Sequence, residues 1–197
     1  VFAAHAASIQ PPAAVNNTKS LLHFNGSNGS TTITDDEGVS WTNSAGFTLS
    51  TSESKFGSAS LRQPSTAGTL GVCTSNDSRF DKSGKVPFTA ECWFNADTPA
   101  SANPSNVMMT RIVTGFCPFI IYVVSSKIWV LIANAAKNSW AINSNVGSVS
   151  ANTWYHLAVV GDGTNVKVYQ DGSEIATVAH PNWTDSVHAQ GFGIPDT

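Results

Sequence analysis

The clearest alternation of apolar and polar positions lies between Thr153 and Val178, TWYHLAVVGDGTNVKVYQDGSEIATV. Tyr155 to Val160 is apolar and β-branched, Gly161 to Asn165 supplies turn residues, Val166 to Gln170 alternates, Asp171-Gly172 turns again, and Ser173 to Val178 returns. This spacing predicts a three-stranded antiparallel meander. Phe88 to Asn95 (FTAECWFN) alternates as well. It places Phe88, Ala90, Cys92 and Phe94 on a core face and Thr89, Glu91, Trp93 and Asn95 on the other. Between Pro118 and Ala136, FIIYVV and IWVLIA flank Ser125-Ser126-Lys127. A bilayer span needs about 20 unbroken apolar residues, so this reads as a hairpin of two mostly buried strands, and membrane insertion is not expected.

Shorter strands are predicted at Leu21–Phe24, Thr31–Thr34, Phe47–Ser50, Ser58–Arg62 and Thr69–Cys73, each bounded by Gly, Ser, Asn or Pro. No stretch carries a helical period of useful length, and no fixed repeat is present. The expectation is an all-β sandwich of two antiparallel sheets with almost no helix. Residues 1–18 include IQPPAAVNNT, where Pro11 and Pro12 hold an extended backbone, and read as a linker or the edge of a preceding region. Residues 19–197 then form one domain, a normal size for a single β-sandwich.

Composition supports this reading. Only 12% of residues are charged, while Ser, Thr, Asn and Gly are abundant, which disfavours helix. Ten basic against thirteen acidic residues give a formal charge of -3, with the basic ones scattered singly, so nucleic acid is not an expected partner. Cys73, Cys92 and Cys117 lack C-x-x-C spacing and read as free buried thiols, although one disulfide stays open.

Four landmarks carry a family resemblance. They are LLHFNGSNGSTTITDDEG (Leu21 onward), KFGSASLR (Lys55–Arg62), RFDKSGKVPFTAECW (Arg79–Trp93), and the meander. In this order they resemble laminin-G-like modules of the concanavalin A-like lectin/glucanase superfamily, of the type found in tailed-phage virion proteins. The resemblance implies a jelly-roll sandwich over roughly Leu21–Val178. It also implies a place at a virion surface or outside the cell, as a tail-fibre or capsid-decoration element. Such modules end in a Gly-aromatic-Ile-Asp-Glu strand beside the first strand. Here the chain runs through His180-Pro181-Asn182-Trp183 to GFGIPDT, so the last strand is expected to be missing. Its edge would be supplied by sequence outside the chain, by the N-terminal segment, or by a neighbouring subunit.

Related glucanases carry E-x-D-x-x-E on one strand, because hydrolysis needs two carboxyls about 5–9 Å apart. Glu91 is the only acid in its strand, and no G-x-S-x-G elbow occurs, so an enzyme is not expected. His156, alternating with Trp154 and Ala158, reads as a structural histidine. A binding module remains. Sugars stack their C–H faces on indoles while amides bind their hydroxyls. Trp93 with Glu91 and Asn95, Trp183 in HPNWTD and Trp140 in KNSWAIN are the candidate glycan contacts, with Trp41 behind them. Trp154 and Trp129 read as core. The family also implies calcium at Asp35 or Asp36, against the plainer reading of a solvated acidic turn. The alternative to a glycan-binding module is a structural element that packs against other virion proteins or copies of itself.

Overall fold

The computed structural model describes residues 2–3, 17–43, 46–63, 72–74, 77–102, 105–111, 116–184 and 189–192. In chain order the strands are β1 (Phe2–Ala3), β2 (Trp41–Asn43), β3 (Thr48–Ser50), β4 (Ser60–Arg62), β5 (Val72–Thr74), β6 (Phe88–Asn95) and β7 (Ser105–Arg111). There follow β8 (Phe119–Val124), β9 (Lys127–Ala133), β10 (Trp140–Ser148), β11 (Trp154–Gly161), β12 (Asn165–Gln170), β13 (Ser173–Ala179) and β14 (Ala189–Phe192). They make two antiparallel seven-stranded sheets. Sheet A runs β13-β12-β11-β6-β1-β4-β3, and sheet B runs β10-β9-β8-β7-β14-β5-β2. Helix among the described residues is confined to the 3-10 turns Ser78–Phe80 and Ser83–Lys85. The fold is thus the expected all-β jelly-roll sandwich.

One core lies between the sheets. Cys92 and Phe94 of β6 and Leu157 and Val159 of β11 meet Phe119, Ile121, Val123, Ile128, Val130 and Ile132 of the β8–β9 hairpin. The period-2 pattern of these strands therefore sorts the two faces as the sequence predicts. Cys92 and Cys117 are buried free thiols, and burial pushes the Cys92 thiol up to about 12, leaving it unreactive.

Turn chemistry sets the register. Asp171 and Gly172 both adopt positive φ (49° and 81°), and the Asp171 carboxylate accepts the His156 N–H at 2.8 Å, tying the second hairpin to the start of β11. The β8–β9 turn takes the same left-handed pair with two serines, Ser125 (φ 50°) and Ser126 (φ 61°). Their N–H groups donate to Ser101 O and Pro99 O at 2.8 and 2.6 Å, so the loop behind the turn holds a conformation serine disfavours. Ser126→Gly keeps both backbone bonds and relieves that cost. It should stabilise the protein by about 0.5–1 kcal/mol in urea unfolding; a destabilised variant would show that the serine is not strained.

Three expectations are corrected. Leu21–Phe24 and Thr31–Thr34 form no ladder. Leu22 and Phe24 are buried as alternation predicts, but Leu21 O accepts the Asp36 N–H (3.0 Å) instead of a strand partner. Alternation reads burial, not pairing. Within the segment read as a linker, Phe2–Ala3 pairs on both sides, with Phe94 and Trp93 of β6 and with Leu61 of β4. The prolines of that segment lie outside the described residues. Ala189–Phe192, for which the sequence predicts no strand, pairs with β7 and β5, though not beside Leu21–Phe24.

Candidate functional site

The outer face of sheet A gathers the residues that the sequence singles out on β6. Antiparallel register sets His156 opposite Trp93, Ala158 opposite Glu91, and Trp154 opposite Asn95. His156 Nε2 lies 3.3 Å from Glu91 Oε2, and the Glu91 side chain is 45% exposed. Trp93 is half-buried, and it is not an open platform. Lys55 Nζ sits 4.1 Å from the indole centre, Phe56 packs edge-on at 5.8 Å, and His156 lies at 5.2 Å. The loop before β4 thus covers the ring. Asn95 is buried, which removes it from direct contact with a ligand. Glu91 has no second acid on its own strand, and on β11 it pairs with Ala158 and is flanked by His156, so among the described residues of these two strands no second carboxylate faces it.

Trp183 is the largest correction. It is 0% exposed, its Nε1 donates to Ala133 O at 3.2 Å, and it packs on His180 (5.0 Å) and Phe88 (6.4 Å). His180 is buried too, its Nδ1 2.7 Å from Pro181 O. His180 to Trp183 therefore plug one end of the sandwich between β6 and β9. Flanking Asn and Thr suggested a surface ring because polar neighbours in sequence are not neighbours in space.

Asp35 and Asp36 are each engaged by protein groups. Asp35 is 8% exposed, and its carboxylate accepts the Ser20 hydroxyl, Trp41 Nε1 (2.9 Å) and the Glu37 N–H (2.8 Å). Burial pushes this carboxyl up, but the donors together outweigh burial and hold it below its ordinary value of 3.8. Asp36 Oδ2 instead meets His23 Nδ1 at 2.9 Å. Among the described residues no group of three or more His, Cys, Asp or Glu could hold a metal. Trp41 is accounted for by its bond to Asp35, so both residues fasten a loop.

A second aromatic outer face lies on sheet B. Tyr122 pairs with Trp129, and Trp129 with Asn145; in the next row Ile120 pairs with Leu131, and Leu131 with Asn143. The Tyr122 and Trp129 rings are parallel within 3° and 6.0 Å apart. Trp140, at the end of β10, packs on Phe116 at 4.7 Å. Beneath these half-buried rings Ile120, Leu131 and Cys117 are buried, while Asn143 and Asn145 are exposed. Of the predicted residues only Trp140 belongs to this face. Trp129, like Trp154, faces outward rather than into the core. The signal was available, since Tyr122 and Trp129 have the opposite parity to Ile121 and Ile128, but the nearly unbroken apolar runs concealed it. Strands β8, β9 and β10 contain no Asp or Glu, so this face presents aromatic rings and carboxamides without a carboxylate.

Two antiparallel sheets packed on one core define a jelly-roll β-sandwich. Residues 66–194, more than half of the chain, match the laminin G-like family of the concanavalin A-like lectin/glucanases superfamily. The chain belongs to that family. No curated protein matches it by sequence. Among solved structures, it is similar to the binding domain of Paraclostridial Mosquitocidal Protein 1 (TM-score 0.62, 13% identity, covering 86% of this chain and 44% of that one). It is also similar to the binding domain of botulinum neurotoxin DC in complex with rat synaptotagmin II (TM-score 0.63, 14% identity, 92% and 45%). The botulinum neurotoxin serotype D/C binding domain is a third such structure (TM-score 0.62, 13%, 92% and 44%). The chain spans less than half the length of these structures. At this identity the likeness is one of fold. No helix among the described residues is long and apolar enough to cross a membrane.

Proposed function

We propose that the domain is a non-catalytic binding module that attaches its carrier to a surface glycan through the outer face of sheet B. The observation that carries this reading is the parallel Tyr122–Trp129 pair standing in one row with exposed Asn145, beside exposed Asn143. Aromatic faces take sugar C–H groups while carboxamides bind hydroxyls. Trp140 pairs with Ala133, four residues along β9 from Trp129, so the two aromatic clusters are about 13 Å apart at the rise of a strand. That separation suits an oligosaccharide better than one sugar ring.

The fold neighbours are named as toxin binding domains, which supports a role in attachment. The finer reading is an exposed attachment or decoration element of a phage virion, packed against other virion proteins or copies of itself. It rests on the resemblance of the four sequence landmarks to phage modules.

A glycan array tests the site. The parent should bind a glycan that Trp129→Ala binds at least about tenfold more weakly while the variant stays folded, its loss of stability small because the ring is only half-buried on the outer face. Trp140→Ala should lower affinity less. Equal binding by parent and Trp129→Ala, or no bound glycan at all, would remove this face from the function.

A further inference from the structure

We infer that the outer face of sheet A carries a second, independent site, specific for a carboxylate-bearing sugar and closed in this structure by the Lys55 side chain.

Three facts point there. Lys55 Nζ stands over the Trp93 ring at 4.1 Å, and no carboxylate among the described residues pairs with it. Trp93 Nε1 is sealed from solvent and donates to nothing. Both groups belong to one outer face, and His156 and exposed Glu91 border them. A sealed donor without an acceptor costs stability, and native proteins rarely keep one without a reason. This ammonium is held by the quadrupoles of the Trp93 ring and, at 6.0 Å, the Phe56 ring, interactions of modest strength at a partly exposed site.

A single ligand answers both orphaned groups. When Lys55 swings off the ring on its flexible stem, the indole face opens for the C–H face of a sugar. The ammonium is then the charged donor that a sugar carboxylate requires, and the in-plane indole N–H is the second once the carboxylate displaces what covers the ring edge. Glu91 sets the limit on the opposite sign. It already pairs with His156, so a second acid placed on that side would be repelled, and the carboxylate must lie on the Lys55 side of the ring. A cationic ligand is disfavoured because it would have to displace a tethered ammonium that is already in place.

This site uses none of the residues of the sheet B face, so the two readings fail separately. The test titrates the folded domain with 3′-sialyllactose, tri-galacturonate and lactose, reading indole N–H resonances assigned with Trp93→Phe. The acidic sugars, one or both, should bind at least about tenfold tighter than lactose, the size of one charge-assisted hydrogen bond. They should also move the Trp93 N–H signal downfield, and weaken as salt rises. Lys55→Met should abolish the preference, while Trp129→Ala should leave it intact. Whichever acidic sugar binds names the class, sialate or uronate. Equal affinity for lactose and both acids, a Trp93 N–H that does not move, or displacement by choline rather than by acid would each overturn the inference.

Discussion

Replacing Trp183 by alanine should cost about 3–5 kcal/mol of unfolding free energy, the range for a fully buried large aromatic side chain. The ring is 0% exposed, and its loss would leave a cavity bounded by Phe88 and His180 and orphan the bond to Ala133 O. The backbone here is also tied in, since Gly84 N–H donates to Trp183 O at 3.1 Å. Trp129→Ala, on an outer face, should cost far less. Urea denaturation of both variants separates the structural from the exposed tryptophans. A Trp183→Ala protein within about 1 kcal/mol of the parent would show that the plug does not close the core.

Lys82 should make the protein more stable as the solution becomes alkaline. It is 4% exposed, its Nζ donates to Phe80 O at 3.0 Å, and it lies 5.3 and 5.9 Å from the Phe88 and Phe119 ring centres. Burial pushes its ammonium from the ordinary 10.5 down to about 8, with Asp81 offsetting part of the shift. Between these two values the unfolded chain binds more protons than the native one, so unfolding free energy rises with pH across that window. The full span is worth about 3 kcal/mol at 1.36 kcal/mol per pH unit. Lys82→Met should therefore raise stability at pH 7, less the cost of leaving Phe80 O unpaired. Its advantage should shrink to nothing by about pH 10.5. The measurement is the difference between parent and variant in urea midpoints at pH 7, 9 and 10. A constant difference, or a variant weaker at pH 7, would mean that the aromatic faces and the carbonyl fully compensate the buried charge.

The long strands with local partners were legible from the chain alone. FTAECWFN, the meander from Trp154 to Ala179 and the FIIYVV–IWVLIA hairpin each combine clean alternation with a turn, so local sequence specifies both face and neighbour. Strand β10 was hidden because WAINSNVGS presents Asn and Ser outward and looks like a loop, and β1 and β14 because two and four residues carry too little pattern. The candidate sites divide in the same way. Trp93 and Glu91 share a face by parity, which the sequence shows. That Lys55 lies over Trp93 follows from the path of a distant loop, and no local pattern encodes it. Asp35 illustrates the reverse error, since an acidic run in a polar stretch reads as solvated until Ser20 and Trp41 are found bonded to it.

The placement of the two short strands has a consequence for biosynthesis. Residues 189–192 bridge β7 and β5, while residues 2–3 bridge β6 and β4. On the ribosome, the β7 and β5 edges that β14 covers stay open until residues 189–192 have emerged, exposing templates for misassembly in the interval. Closure of these edges therefore depends on distant contacts and is slow, and nascent-chain chaperones should find their substrate at the β5 and β7 edges of sheet B rather than in the β11–β13 meander, whose strands pair with their sequence neighbours.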